Sequence, residues 1–309
     1  MNNWNRNVVY LYKTMILQRI TYWLIAPVLY SLSLLPFAVL HLISDLFSFL
    51  LNHVLGYRKQ MIDKYLKQIF TDLPMDERIA IRNKFYRNLG DVIVETIKSI
   101  TLSPNAIQKR YKMVNVEVLT QYEKKGQTAF IVCGHYSNWE WMASLGLQFE
   151  SAVPYLIYSP LRNPYFDRFI QRIRRKYNVF LLARQKTIVT LHEEEKKGKA
   201  GVYGFAMDQS PRLKTKSYWR PFLGIRVPVF TGAERLAKEY NIPLVFSSIN
   251  RIKRGYYEVV FEVLEENPAD KPDYLITDRF YEKLEAQIYR DPSQYLWSHR
   301  RFKHAGKEI

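Results

Sequence analysis

Ala129-Phe130-Ile131-Val132-Cys133-Gly134-His135-Tyr136-Ser137-Asn138-Trp139-Glu140 is the stretch on which the fold reading turns. Its first five residues are a short apolar run with no alternation, the pattern of a strand covered on both faces. A polar turn follows, in which Ser137 or Asn138 can cap a helix running from Trp139 to Leu147. The same alternation continues downstream. Strands are read at Val153–Tyr158, Val179–Leu182, Val202–Met207 and Leu244–Asn250, with Tyr256–Leu264 patterned as an edge strand. Helices are read at Tyr165–Tyr177, Thr187–Lys197, Thr231–Tyr240 and Ile276–Tyr289. Strands separated by helices of this length call for crossover connections, so the fold class is α/β, a mostly parallel central sheet flanked by helices.

Upstream, residues 61–101 carry helical spacing, with Ile79, Phe85, Leu89, Val92, Ile93, Thr96 and Ile97 on one side. The whole chain has 309 residues, 48% of them hydrophobic, and only one cysteine, Cys133. That composition excludes a disordered or fibrous chain, an intrachain disulfide and a thiolate metal cluster.

The N-terminus is chemically distinct. Ile20 through Ser44 is a run of 25 residues without Asp, Glu, Lys or Arg. About 20 apolar residues cross a bilayer core, so residues 1–60 are read as a membrane-anchoring helix or hairpin and residues 61–309 as the domain that carries the chemistry. Tyr22, Trp23 and Tyr30 suit an interfacial belt. A buried helical hairpin broken at Pro36 is the soluble alternative. Arg6, Lys13 and Arg19 before the run balance Arg58, Lys59 and Lys64 after it, so the positive charges leave its orientation undetermined.

The net charge of +17 is concentrated. Ser159–Lys186 holds eight Lys/Arg against one Asp, and Arg212–Arg226 holds five more and no acid. Arg168, Arg172 and Arg175 lie three and four apart and share one helix face. Such a face suits phosphate, anionic lipid or an acidic partner better than a plain solvated surface. Nucleic acid is disfavoured, because no recognised nucleic-acid motif accompanies the long apolar segment.

His135 follows a parallel strand at its C-terminal end, where open α/β sheets place their ligands. Glu140, five residues on, meets it if the turn folds back, and a carboxylate on one ring nitrogen fixes the tautomer a general base needs. A structural histidine is the plain alternative. The other histidines form no close metal motif with it, and no serine or cysteine stands in a nucleophile motif.

Several blocks occur in order: GHYSNWE at 134–140, NPYFDRFIQRIRRKYNVFLLAR at 163–184, MDQSP at 207–211, PFLGIRVPVFTGAERLAKEYNIPLV at 221–245 and QYLWSHRRFK at 294–303. Together with the N-terminal apolar segment they resemble, over nearly the whole chain, the late lipid A acyltransferases. These are the lauroyl and myristoyl transferases that complete lipid A, within the glycerolipid acyltransferase superfamily marked by His-x4-Asp/Glu. The resemblance implies an O-acyltransferase without cofactor or metal. The donor would be an acyl thioester on acyl carrier protein or coenzyme A, and the acceptor a hydroxyl of a lipid A precursor. Another amphipathic acceptor, such as a lysophospholipid or aminolipid, stays open, as does a non-catalytic lipid-binding protein of the same fold. The implied seat is the bacterial inner membrane, with the catalytic domain on the cytoplasmic side. His135 would be the base and Glu140 its partner. Arg172, flanked by Arg168 and Arg175, would bind the lipid phosphate, and Asp208, between a strand end and the turn at Ser210-Pro211, would reach the same sheet edge as His135.

Overall fold

The computed structural model describes residues 3–308, with side chains from Met15 onward; the side chains of Arg6 and Lys13 lie outside the described residues. The chain begins with α1 (Asn3–Leu34), breaks at Pro36, and continues as α2 (Phe37–Phe49), which runs into a wider turn over Leu50–Val54. Then come α3 (Lys59–Ile69), α4 (Met75–Lys98), α5 (Pro104–Gln108), β1 (Tyr111–Met113), α6 (Glu117–Lys124) and β2 (Ala129–Cys133). A 3₁₀ helix over Trp139–Gln148 leads to β3 (Val153–Tyr158), α7 (Pro164–Arg175), β4 (Phe180–Ala183), α8 (Thr187–Lys196) and β5 (Gly201–Ala206). The last third comprises β6 (Trp219–Phe222), β7 (Ile225–Pro228), α9 (Gly232–Tyr240), β8 (Leu244–Lys253), β9 (Tyr256–Glu265) and α10 (Leu275–Arg290).

Seven strands form one sheet in the order β1-β9-β8-β2-β5-β3-β4, parallel throughout except for the β8–β9 hairpin. From β2 the chain moves to one side for β3 and β4, returns to β5, then crosses to the other side for β8. The central strand β2 therefore stands where the winding reverses, the place such sheets bind ligands. Its run of apolar residues is explained by burial on both faces. Phe130 and Val132 join the core formed with Leu236, Phe280 and Leu284. Ala129 and Ile131 join the opposite core with Leu119, Tyr122, Trp141 and Leu145.

Three sequence expectations change. Residues 61–101 are two helices, because Pro74 starts α4 after the turn at Thr71–Leu73. The strand at Tyr256 is not an edge: β1 pairs with it in parallel, and the alternation reflects a face buried in the core through Tyr257, Val259 and Phe261 and a less buried one. The Trp139 helix is wound as 3₁₀ turns rather than α-helical ones.

The N-terminal helices differ in how they join the rest. Met15–Leu34 and Phe37–Val54 are each long and apolar enough to cross a membrane. The first exposes Leu17, Trp23, Leu24 and Val28 and is fastened at its end to α4 and, further back, to α7, where Tyr22 packs among Tyr165, Phe166 and Phe169. At its end, Lys98 Nζ donates to the carbonyls of Ser33 and Leu35, which satisfies groups a helix C-terminus leaves open. The second lies against α4. Ser44 Oγ donates to the buried Asp91, and Arg254 bridges Asp91 and Asp45.

The two helices touch closely at Gly90. A Cβ there would stand 2.9 Å from Ser44 Oγ and 3.0 Å from the Ser44 carbonyl, and closer still to Ser48 Oγ. Only glycine allows this approach. Gly90→Val should therefore push α2 off α4 and lower stability by about 1–3 kcal/mol, the usual cost of overpacking. Thermal unfolding of the detergent-solubilised protein measures it, and an unchanged midpoint would disprove the close-approach role.

Candidate active site

The β2–β5 register builds the site. Cys133 pairs with Ala206, so His135 and Asp208 each stand two residues beyond a matched pair, at the C-terminal edge of adjacent parallel strands. Met207 N donates to the Cys133 carbonyl and carries the pairing one step further. His135 Nδ1 lies 2.6 Å from Asp208 Oδ1, and the His135 backbone N–H donates to Oδ2 at 3.0 Å. One carboxylate thus grips both the ring and the main chain of the same residue. Gly134 is required just before, since a Cβ there would stand 2.6 Å from Leu284 Cδ1 of α10.

Because Asp208 is buried and ionised, Nδ1 carries the proton and Nε2 presents a lone pair. Burial alone would lower the His135 pKa; the charge of Asp208 and its hydrogen bond, with a contribution from Glu140, outweigh it and raise the value above that of free imidazole. The same pairing overcomes burial at Asp208 and holds its carboxyl below the ordinary range. Gln209 Nε2 lies 3.1 Å from His135 Nε2, which fits an amide donating to that lone pair.

Glu140 is not the partner of His135 in this structure. The 3₁₀ helix starting at Trp139 turns its side chain toward α7, where Glu140 Oε2 accepts from Arg174 Nη2 at 2.6 Å and Oε1 from Trp139 Nε1 at 3.2 Å. Close spacing in sequence loses here to cross-strand register. Arg168, Arg172 and Arg175 are exposed on the outer side of α7, away from His135, while Arg174 turns inward. Arg174 and Gln209 are therefore site residues that the sequence reading missed. For Arg174 the signal was available, since it falls off the face shared by the other three arginines.

His135, Glu140, Arg174 and Gln209 line one end of a cavity of about 490 Å³. Its walls are mostly apolar, from Ile131, Met142, Leu145, Leu156, Val202 and Leu236 among others, with Arg184, Thr187 and Arg235 also on the lining. That volume is within the usual range of small-ligand pockets, about 300–1,000 Å³. A mostly apolar lining with a few polar groups suits an amphipathic chain.

The C-terminal block braces both the loop of His135 and the loop after Asp208. Leu296 N donates to the His135 carbonyl and Ser137 N to the Gln294 carbonyl. On the other side, Ser210 N donates to His299 Nε2 at 3.2 Å and Ser210 Oγ to the Arg301 carbonyl at 2.6 Å. Burial pushes His299 down to about 4, so the ring is neutral and can accept that bond. Arg301 is fully buried over the rings of Phe222 and Tyr281 and donates to the Pro228 carbonyl. No group of three or more His, Cys, Asp or Glu side chains that could hold a metal ion occurs among the described residues.

A doubly covered, mostly parallel sheet with a carboxylate-held histidine beside a mostly apolar cavity is an arrangement of the α/β enzyme class. The chain belongs to the bacterial lipid A biosynthesis acyltransferase family, whose model matches residues 11–304, and it is an acyltransferase. Among curated proteins it is similar to a lipid A biosynthesis acyltransferase of Haemophilus influenzae, 26% identical over 291 residues. It is also similar to two Escherichia coli proteins, a lipid A biosynthesis palmitoleoyltransferase (24% over 289 residues) and a lipid A biosynthesis lauroyltransferase (25% over 287). Each alignment covers 91% of this chain and 90% of the relative.

If His135 acts as the base, it must be neutral at Nε2, so turnover falls as pH drops through its raised pKa. Asp208→Asn removes the carboxylate charge and leaves burial unopposed, which lowers that pKa. The acid limb of the kcat profile should then move to lower pH, while the plateau falls at least about 10²-fold as the tautomer and orientation are lost. A limb that stays in place would disprove control of His135 by Asp208.

Proposed function

We propose that the chain moves a fatty acyl group from an acyl thioester, carried on acyl carrier protein, to a hydroxyl of a lipid A precursor. The observation that carries this reading is the His135–Asp208 pair beside the mostly apolar cavity that His135 lines. The acyl chain fills the cavity and brings its thioester carbonyl to the mouth. The acceptor hydroxyl displaces the Gln209 amide from His135 Nε2 and gives its proton to that nitrogen. The oxygen attacks the carbonyl carbon, the tetrahedral intermediate expels the thiolate, and the imidazolium returns the proton to sulfur. Asp208 holds the ring and stabilises its charged form. Glu140 retains a role by fixing Arg174, whose guanidinium faces the charge that develops on the carbonyl oxygen. No cofactor or metal enters these steps.

Residues 1–60 form the membrane anchor and residues 61–309 the catalytic domain, seated at the bacterial inner membrane on its cytoplasmic side. The exposed apolar surface of α1 supports the anchor, and its contact with α7 brings the basic helix to the bilayer surface. There Arg172, with Arg168 and Arg175, reads the phosphate of the lipid acceptor. The positive balance of the chain also suits an acidic carrier protein as donor.

Mass spectrometry of lipids from cells lacking the protein should show lipid A short of one acyl chain, restored by wild type but not by His135→Ala. In purified form His135→Ala should lose about 10²–10⁴-fold in kcat; near-normal turnover would sink the base assignment. A lysine cannot reproduce the bidentate fork of arginine on phosphate. Arg172→Lys should therefore erode the preference for a phosphorylated acceptor over its dephosphorylated form at unchanged thermal stability. An identical preference in both proteins rejects the phosphate contact but leaves the acyltransferase reading standing.

A further inference from the structure

Glu95 lies in α4, fully buried, and does not line the cavity. Burying a carboxylate is costly unless its oxygens are well partnered. Among the described residues Glu95 has no lysine or arginine at ion-pair distance; the nearest basic group is His41 of α2, with Nε2 at 3.3 Å from Oε1. Its other oxygen accepts from Asn138 Nδ2 at 2.6 Å and from Tyr257 OH at 2.8 Å. The backbone carbonyl of Glu95 also accepts from Trp141 Nε1 at 3.2 Å. Two of these four contacts are with the segment that follows His135, and Asn138 Oδ1 in turn accepts from Trp141 N.

That segment needs holding. Ser137 stands at φ 54, a left-handed conformation unfavourable for a serine. It lies between His135 and the Asn138 cap, so the turn that aims His135 across to Asp208 passes through it. The bond to Glu95 fixes Asn138 on the far side of this turn, while Asp208 and the Leu296 N–H fix His135 on the near side.

We infer that Glu95 is a positioning residue for the reaction: its carboxylate, through Asn138, holds the Ser137 turn in the conformation that presents His135 to the acceptor. The inference rests on the reading of His135 as the base. Glu95 touches neither the reacting atoms nor the cavity, so its loss reduces kcat without weakening the binding of donor or acceptor.

The test exchanges donor and acceptor. Asn138→Asp sets two carboxylates against each other. Glu95→Gln alone can turn its amide oxygen to Asn138 and Tyr257 and its nitrogen to His41, so it keeps the clamp. In the double variant, the amide nitrogen introduced at position 95 donates to the carboxylate introduced at position 138. The amide oxygen at position 95 accepts from His41, and the Tyr257 hydroxyl rotates to accept. Steady-state kinetics of the full-length protein, with acyl carrier protein as donor carrier and a phosphorylated lipid A precursor as acceptor, should show kcat down by at least about tenfold in Asn138→Asp and nearly unchanged in Glu95→Gln. Both KM values and the pH of the acid limb should be unchanged, and the double variant should recover most of the kcat that Asn138→Asp loses. A structural role alone would not produce that recovery. Wild-type kcat in Asn138→Asp, or a double variant no more active than Asn138→Asp, would overturn the inference. If Asn138→Asp fails to fold, a folded double variant with near wild-type kcat supports it, and an inactive or unfolded one rejects it. His135→Ala in the same assay separates the two readings. Full activity there removes the base itself, whereas full activity only in Asn138→Asp removes the clamp and leaves the base.

Discussion

The parallel pairing of β2 with β5 is the contact on which the chemistry depends. Because Cys133 and Ala206 face each other, two loops that leave the same sheet edge bring His135 and Asp208 together without a dedicated connecting element. The pairing is secured by burial on both faces: Phe130 and Val132 point into one core, Ala129 and Ile131 into the other. Slipping the register by one residue would send each of these side chains into the wrong core. The energy that fixes the dyad is thus mostly hydrophobic and lies away from the site.

Electrostatics act as a second layer. Asp208 is buried with its charge matched by His135 and a backbone N–H, and burial and pairing pull each pKa in opposite directions. A comparable arrangement ties α2 to α4. There Asp91 is fully buried and accepts from Ser44, Arg251 and Arg254, while Arg254 also reaches Asp45 and the His41 carbonyl. The more apolar of the two N-terminal helices is therefore held by charged hydrogen bonds, which strengthen where water is excluded. By contrast, α1 is held at its end by Lys98 and at Tyr22 by aromatic rings of α7, a looser attachment.

Much of the architecture was legible because two-sided burial writes itself into composition. The strands at Ala129, Val153 and Leu244 begin where the apolar runs predict, and Asp208 reaches the edge expected of it. That Asp208 rather than Glu140 hydrogen-bonds His135 has a physical reason: proximity along the chain says little once a helix begins between two residues. Glu140 follows its helix to Arg174, while Asp208 arrives from a strand that is distant in sequence but adjacent in the sheet. The β6–β7 hairpin escaped notice although WRPFLGIRVP holds its signal, a Leu223-Gly224 turn with both residues left-handed, the hairpin-favouring geometry. Glu95 could not have been found by pattern, since its partners come from three separate segments: α2, the turn and 3₁₀ helix after His135, and β9.

The way the dyad is assembled separates two kinds of sequence change. His135 and Asp208 belong to neighbouring strands, yet the chain between them makes a long excursion through β3, α7, β4 and α8. That excursion supplies one wall of the cavity and the whole basic helix, and none of it sets the distance from imidazole to carboxylate. Insertions or deletions in the loops around α7 and α8 can therefore reshape the cavity wall and the basic helix while the imidazole–carboxylate geometry stays intact. A single added residue between Cys133 and His135, or between Ala206 and Asp208, would turn a side chain away from its partner and break the pair. The wall of this scaffold is modular and tolerant of indels; the pair is not.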